Sequence, residues 1–272
     1  MKKTLLWISA FVITITAAIY QRHTGPTYPR ETKIILNGKE YKLKLVRSLS
    51  LDEASEVKLN ISDPSIKARI FYKRFKTNDE YTASDFTFRS NDGKDIFYAE
   101  VPKQPAAGKI QYYIEITDST ATKTLFREEP VIIRFKGGVP ALILVPHIIL
   151  MFLAMLFSNL AGIMALVKYP KYKKYGVITL ILLLIGGLIL GPLVQYYAFG
   201  ELWTGIPFGW DLTDNKVLIA VIFWIFAVIM NRKEDRPYYT ALAAFVLLLV
   251  YSIPHSLFGS ELDYASGEVI QG

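Results

Sequence analysis

Five stretches of the chain contain no Lys, Arg, Asp or Glu: 4–21, 137–167, 175–200, 217–231 and 237–260. A helix rises about 1.5 Å per residue, so roughly 20 apolar residues cross a hydrocarbon core about 30 Å thick. Most of these stretches reach that length, and the 15-residue one does so with help from its flanks. A simple soluble globule is excluded. A disulfide-stapled module is excluded as well, because the chain has no cysteine.

The first stretch follows Met1-Lys2-Lys3 and reads as a signal peptide or as an uncleaved anchor over residues 1–21. The remaining four predict helices over about 141–167, 176–199, 214–231 and 237–254. Basic residues concentrate in two of the short connections, at Lys168, Lys171, Lys173 and Lys174 and at Arg232, Lys233 and Arg236. The opposite connections hold only Lys216 and, after Pro254, no basic residue. The positive-inside rule then sets the N-terminus in the cytoplasm and places residues 22–136 and the C-terminal tail outside it. Aromatic residues gather at both expected boundaries: Tyr196, Tyr197, Trp203 and Trp210 at one, Tyr169, Tyr172, Tyr175, Tyr238 and Tyr239 at the other.

Residues 22–136 carry 37 of the 55 charged side chains, 21 basic and 16 acidic. Within them, Asn37-Gly38 separates Ile34-Ile35-Leu36 from the alternating Tyr41-Lys42-Leu43-Lys44-Leu45, a hairpin signal. Further strands are predicted over 57–61, 68–75, 86–89, 96–101, 110–116 and 131–135, separated by turn residues. Seven or eight short strands in about a hundred residues predict an antiparallel β-sandwich. The face formed by Lys39, Lys42, Lys44 and Arg47 reads as solvated surface, with an acidic polymer as the alternative. Nucleic acid is not an expected partner, since no binding motif is present.

The runs Ala99-Glu100-Val101-Pro102 and Gly108-Lys109-Ile110-Gln111-Tyr112-Tyr113-Ile114-Glu115-Ile116-Thr117-Asp118 resemble fibronectin type III and related immunoglobulin-like modules. In those modules a Gly-led turn precedes a Tyr-rich alternating strand ending near Asp. The resemblance covers 31–136 and concerns the fold alone. It implies a binding or presenting role and supplies no catalytic residue.

Chemistry has one obvious place to sit. His23, His147 and His255 all fall at the predicted outer face, with Glu201, Asp211, Asp214, Glu261 and Asp263. Three readings stay open there. The histidines bond loop carbonyls while Trp203 and Trp210 anchor the boundary. Alternatively, His147 and His255 hold a b-type haem or shape a quinol pocket, with Met151, Gln195, Trp203 and Trp210 around it. In the third, His23, His147, His255, Asp211, Asp214, Glu261 and Asp263 supply ligands to a transition metal. Loop 200–216 reads as a lid, with Asp211 or Thr213 capping the next helix and Lys216 snorkelling. Signatures of hydrolases, phosphate-binding loops, zinc peptidases and dinucleotide folds are absent, so an enzyme is not the favoured expectation.

The expectation is therefore an α+β membrane protein: an exterior β-sandwich over 22–136 and a five-helix bundle whose last four helices lie in 137–272. Its expected place is a bacterial inner membrane, and its expected role is a binding or assembly subunit of an envelope complex. The sandwich would meet another membrane or envelope protein. The competing expectation is redox or metal handling around His147 and His255.

Overall fold

A computed structural model describes residues 3–91, 94–254, 257 and 259–271. The chain is mixed α+β and divides into two compact units. A helical unit takes residues 1–26, 139–260 and 271–272, and a sheet unit takes 27–138 and 261–270.

The helical unit contains α1 (Lys3–Thr24), α2 (Ala141–Leu166), α3 (Tyr172–Leu183), α4 (Gly191–Phe199), α5 (Leu212–Met230) and α6 (Pro237–Ser252). A π-helical segment, Leu184–Leu190, joins α3 to α4, so Tyr172–Phe199 runs as one 28-residue helix. Gly186-Gly187 and Gly191-Pro192 account for this local widening, because Pro192 has no amide hydrogen to donate to the preceding turn. Helices α1, α2, α3–α4 and α5 are each long and apolar enough to cross a membrane. Helix α6 is apolar but has 16 residues.

Small residues let these helices approach closely. A Cβ built on Gly162 of α2 would lie 2.5 Å from the Cβ of Ala244 on α6, and one on Gly187 would lie 2.7 Å from Val217. Buried amides and hydroxyls supply direction. Asn159 of α2 donates to Thr14 Oγ1 of α1 at 3.0 Å, and Thr14 donates to Ala10 O at 2.7 Å. Leu6 and Ala10 of α1 are fully buried, and Trp7 meets Phe157 and Tyr175 edge-on. Near the same end of the bundle Asn231 is a hub. Its oxygen accepts from Tyr172 Oη at 2.8 Å and from the Arg236 amide at 2.9 Å, while its Nδ2 donates to Ala227 O at 2.8 Å.

The sheet unit begins with the hairpin β1 (Arg30–Leu36) and β2 (Lys39–Leu45). Asn37 and Gly38 both take positive φ, 46° and 79°, as a two-residue hairpin turn requires. Along β2 the side chains of Tyr41, Leu43 and Leu45 are buried, while Lys42 and Lys44 are exposed. Lys33 pairs with Glu40 at 3.1 Å and Lys44 with Glu31 at 2.9 Å, so the basic face is laced by surface ion pairs.

The strands that follow are β3 (Ser48–Ser50), β4 (Glu56–Leu59), β5 (Lys67–Arg74), β6 (Thr82–Asp85), β7 (Thr87–Asn91), β8 (Lys94–Glu100), β9 (Lys109–Thr117), β10 (Thr122–Leu125) and β11 (Val131–Lys136). One sheet runs β3-β11-β9-β5-β6, with β10 also on β9, and a second runs β4-β8-β7. All pairs are antiparallel except β3 with β11. Both sheets and the hairpin contribute to one core, including Leu36, Leu43, Val57, Leu59, Ile70, Phe97, Ile114 and Phe135.

The tail is more ordered than its sequence foretells. It forms β12 (Ser260–Leu262) and β13 (Val269–Gln271), which pair with each other. Residues 261–270 belong to the sheet unit, where the Leu262 amide donates to Ala107 O at 3.1 Å.

Candidate functional site

In the helical unit the polar groups converge where loop 200–211 joins α4 to α5. Asp211 is the N-cap of α5, accepting from the amides of Thr213 at 2.7 Å and Asp214 at 3.3 Å. One turn on, Asp214 is buried and turns back to the loop. Its Oδ2 accepts from the Thr204 amide at 2.7 Å, the Gly205 amide at 3.1 Å and Thr204 Oγ1 at 3.3 Å. Asn215 Oδ1 accepts from the Ile206 amide at 2.8 Å, and Gln195 of α4 donates to Thr204 Oγ1 at 2.7 Å. A Cβ on Gly205 would stand 2.7 Å from that of Asp214, so only glycine permits this approach.

Lys216 does not reach outward. It is buried, and its ammonium donates to Ile253 O at 2.9 Å and Pro254 O at 3.3 Å, just past the end of α6. Carbonyls at a helix C-terminus carry partial negative charge, so they replace water around the cation. Ser260 Oγ adds a long contact to Asp211 Oδ2 at 3.4 Å. These side chains tie α4, the loop, α5 and the segment after α6 together.

His147 lies half-buried on α2 with Nδ1 2.9 Å from Gly186 O. A carbonyl can only accept, so Nδ1 carries the hydrogen. Met151 lies one turn on, its sulfur 3.3 Å from where a Cβ on Gly186 would be. His23 is exposed in the last turn of α1. His255 lies outside the described residues. Trp203 Nε1 donates to Ile206 O at 3.1 Å within the loop, and Trp210 is 71% exposed.

The two remaining carboxylates belong to the sheet unit. Asp263 accepts from the Ala265 amide at 2.9 Å and Ser266 Oγ at 3.0 Å inside the tail hairpin. Glu261 is buried, with one oxygen 2.5 Å from Lys109 Nζ and the other 2.9 Å from Lys76 Nζ. Burial pushes its carboxyl up, but the bonds and charges of Lys109 and Lys76 prevail and hold it below the usual range. Among the described residues no three His, Asp or Glu side chains gather as a metal would require.

The sheet unit also carries an ordered outward face. Phe71 of β5 and Tyr113 of β9 are cross-strand partners with rings stacked 4.7 Å apart. Arg69 lies over Phe71 at 5.8 Å, Arg127 over Tyr113 at 5.7 Å and Lys73 over Tyr81 at 5.2 Å. Cations over ring faces hold such a ladder rigid.

No protein-family profile matches the chain, and no curated protein matches it in sequence.

Sequence reasoning missed Thr204, Asn215, Lys109, Lys76 and Tyr264. Thr204 meets Asp214 and Gln195 across the loop and Asn215 meets a loop amide, while the other three meet residues more than a hundred positions away, and none of these contacts leaves a local periodicity.

Proposed function

We propose that the chain is a five-span protein of a bacterial inner membrane that presents an immunoglobulin-like β-sandwich outside the cytoplasm and works as a binding or assembly subunit of an envelope complex. The observation that carries this reading is the membership of residues 261–270 in the sheet unit. The chain leaves that unit at 138 and rejoins it at 261, so the helices between must cross the bilayer an even number of times. Three of them are long, α2, α3–α4 and α5. Helix α6 is then the fourth, although its 16 residues reach only about 24 Å. Local thinning of the bilayer compensates for the shortfall, with Tyr238 and Tyr239 in the first turn placed at the boundary.

Several features support the rest. The packing of α1 against α2 through Thr14, Asn159 and Trp7 favours a retained anchor over a cleaved signal. The sheet order β3-β11-β9-β5-β6 with a second sheet β4-β8-β7 on the same core, and β3 parallel to β11, supports an immunoglobulin-like arrangement. The face of Arg69, Phe71 and Lys73, backed by the buried ring of Tyr113, offers cations and a half-exposed ring to a protein partner. Basic clusters at 168–174 and 232–236 favour a cytoplasmic location for those connections.

Purification in mild detergent tests this. A colourless, metal-free protein should emerge with a stoichiometric envelope partner, released when Arg69, Phe71 and Lys73 are replaced by alanine. The competing reading, a haem, quinol or metal site, draws on the half-buried ring of His147 on α2. A Soret band or a bound metal lost in His147→Ala would establish it instead.

A further inference from the structure

We propose that residues 200–211 form a preorganised wedge that inserts into the lipid interface beside the bundle and needs no anionic headgroup. Non-helical backbone survives at membrane depth only where its polar groups are satisfied within the protein. The central part of this loop meets that condition. The amides of Thr204, Gly205 and Ile206 bond the side chains of Asp214 and Asn215. Those of Phe208 and Gly209 bond Gly205 O at 2.9 and 3.0 Å, that of Asp211 bonds Thr204 O at 3.0 Å, and that of Gly200 bonds Tyr196 O at 2.8 Å. Pro207 has no amide hydrogen, and the Trp203 indole is used internally.

Apart from Glu201 at its start, what the loop turns outward is apolar. Phe208 is 83% exposed and Trp210 71%, with Leu202 and Ile206 also exposed. A soluble loop tip of this length would carry polar side chains, and a loop held in place from within keeps these four from collapsing onto the bundle. Its termini fix its depth, since it joins the last residue of α4, Phe199, to the first of α5, Leu212. Lipid is favoured over a protein partner because both helices that the loop joins also expose apolar or aromatic side chains, Tyr196 and Tyr197 on α4 and Ile219 and Ile222 on α5. The loop contains Glu201 and the buried Asp211 and no Lys or Arg, so anionic lipid contributes nothing to its insertion.

The absence of cysteine from the chain makes a direct test available. Phe208→Cys, Lys39→Cys and Ile222→Cys, each at an exposed position, are labelled with a nitroxide and reconstituted in phosphatidylcholine vesicles. Accessibility to oxygen, which partitions into lipid, is compared with accessibility to a polar nickel chelate. The inference predicts an oxygen-to-nickel ratio at Phe208→Cys severalfold above that at Lys39→Cys and below that at Ile222→Cys, unchanged by adding phosphatidylglycerol. A ratio matching Lys39→Cys would overturn it, as would poor access to both reagents, the mark of a covering protein. The inference rests on α5 crossing the bilayer. A lipid-like ratio at Ile222→Cys with a water-like one at Phe208→Cys would reject the wedge alone, and a water-like ratio at both would reject the spanning helix.

Discussion

The hydroxyl of Tyr264 makes two hydrogen bonds to one residue, Lys109: it accepts from the amide at 2.9 Å and donates to the carbonyl at 2.8 Å. It thereby satisfies the backbone at the first position of β9 from 155 residues away. Arg74 lies over the same ring at 5.2 Å. Tyr264→Phe keeps the ring but leaves the Lys109 amide without that acceptor, while the carbonyl still accepts from the Phe75 amide at 3.0 Å, at a cost of about 1–2 kcal/mol. Amide exchange at Lys109 should accelerate, and exchange in β2 should not.

Glu261 gives the same hairpin a pH dependence. Its folded carboxyl titrates below its ordinary value of 4.5, so its stabilisation is complete above that value and is lost as pH falls through the lower folded one. Exchange protection of residues 261–271 should weaken below about pH 4.5. Glu261→Gln should be weaker at neutral pH and lose that acid-dependent step.

In the loop, Asp214→Ala leaves the amides of Thr204 and Gly205 without their acceptor, a loss of about 2–4 kcal/mol at 1–2 for each bond. Gly205→Ala attacks the same contact from the other side, since the new methyl would stand 2.7 Å from the Asp214 Cβ. Both variants should make 200–211 a site of limited proteolysis in detergent, whereas Thr213→Ala should not.

Asn231→Ala should destabilise the opposite end of the bundle by about 2–4 kcal/mol, because it unpairs the Tyr172 hydroxyl and the Arg236 amide together. Thermal unfolding in detergent measures this, with exposed Lys233→Ala as the neutral control.

Much of the architecture is legible in the sequence for a physical reason. Charge-free runs and the alternation of Tyr41, Leu43 and Leu45 are local patterns that burial imposes on neighbours in the chain. Asp211 was readable as a cap by the same logic. The strand β6, Thr82–Asp85, has no apolar alternation, because β5 alone supplies its pairing. Lys216 illustrates the other limit: a lysine at a helix start predicts snorkelling, but the carbonyls of Ile253 and Pro254 offer it a closer partner. Glu261 and Asp263 looked like ligands because composition does not say which lysine or amide will meet them.

The central claim is that the sheet unit and the C-terminal tail share the outer face, which requires α6 to cross the membrane. Single cysteines at the exposed positions Lys39, Ser266, Lys171 and Lys233 report on it through a membrane-impermeant maleimide applied to intact spheroplasts. The account predicts labelling of Lys39→Cys and Ser266→Cys, with Lys171→Cys and Lys233→Cys reacting only after lysis. Labelling of Lys39→Cys with Ser266→Cys silent until lysis would contradict it.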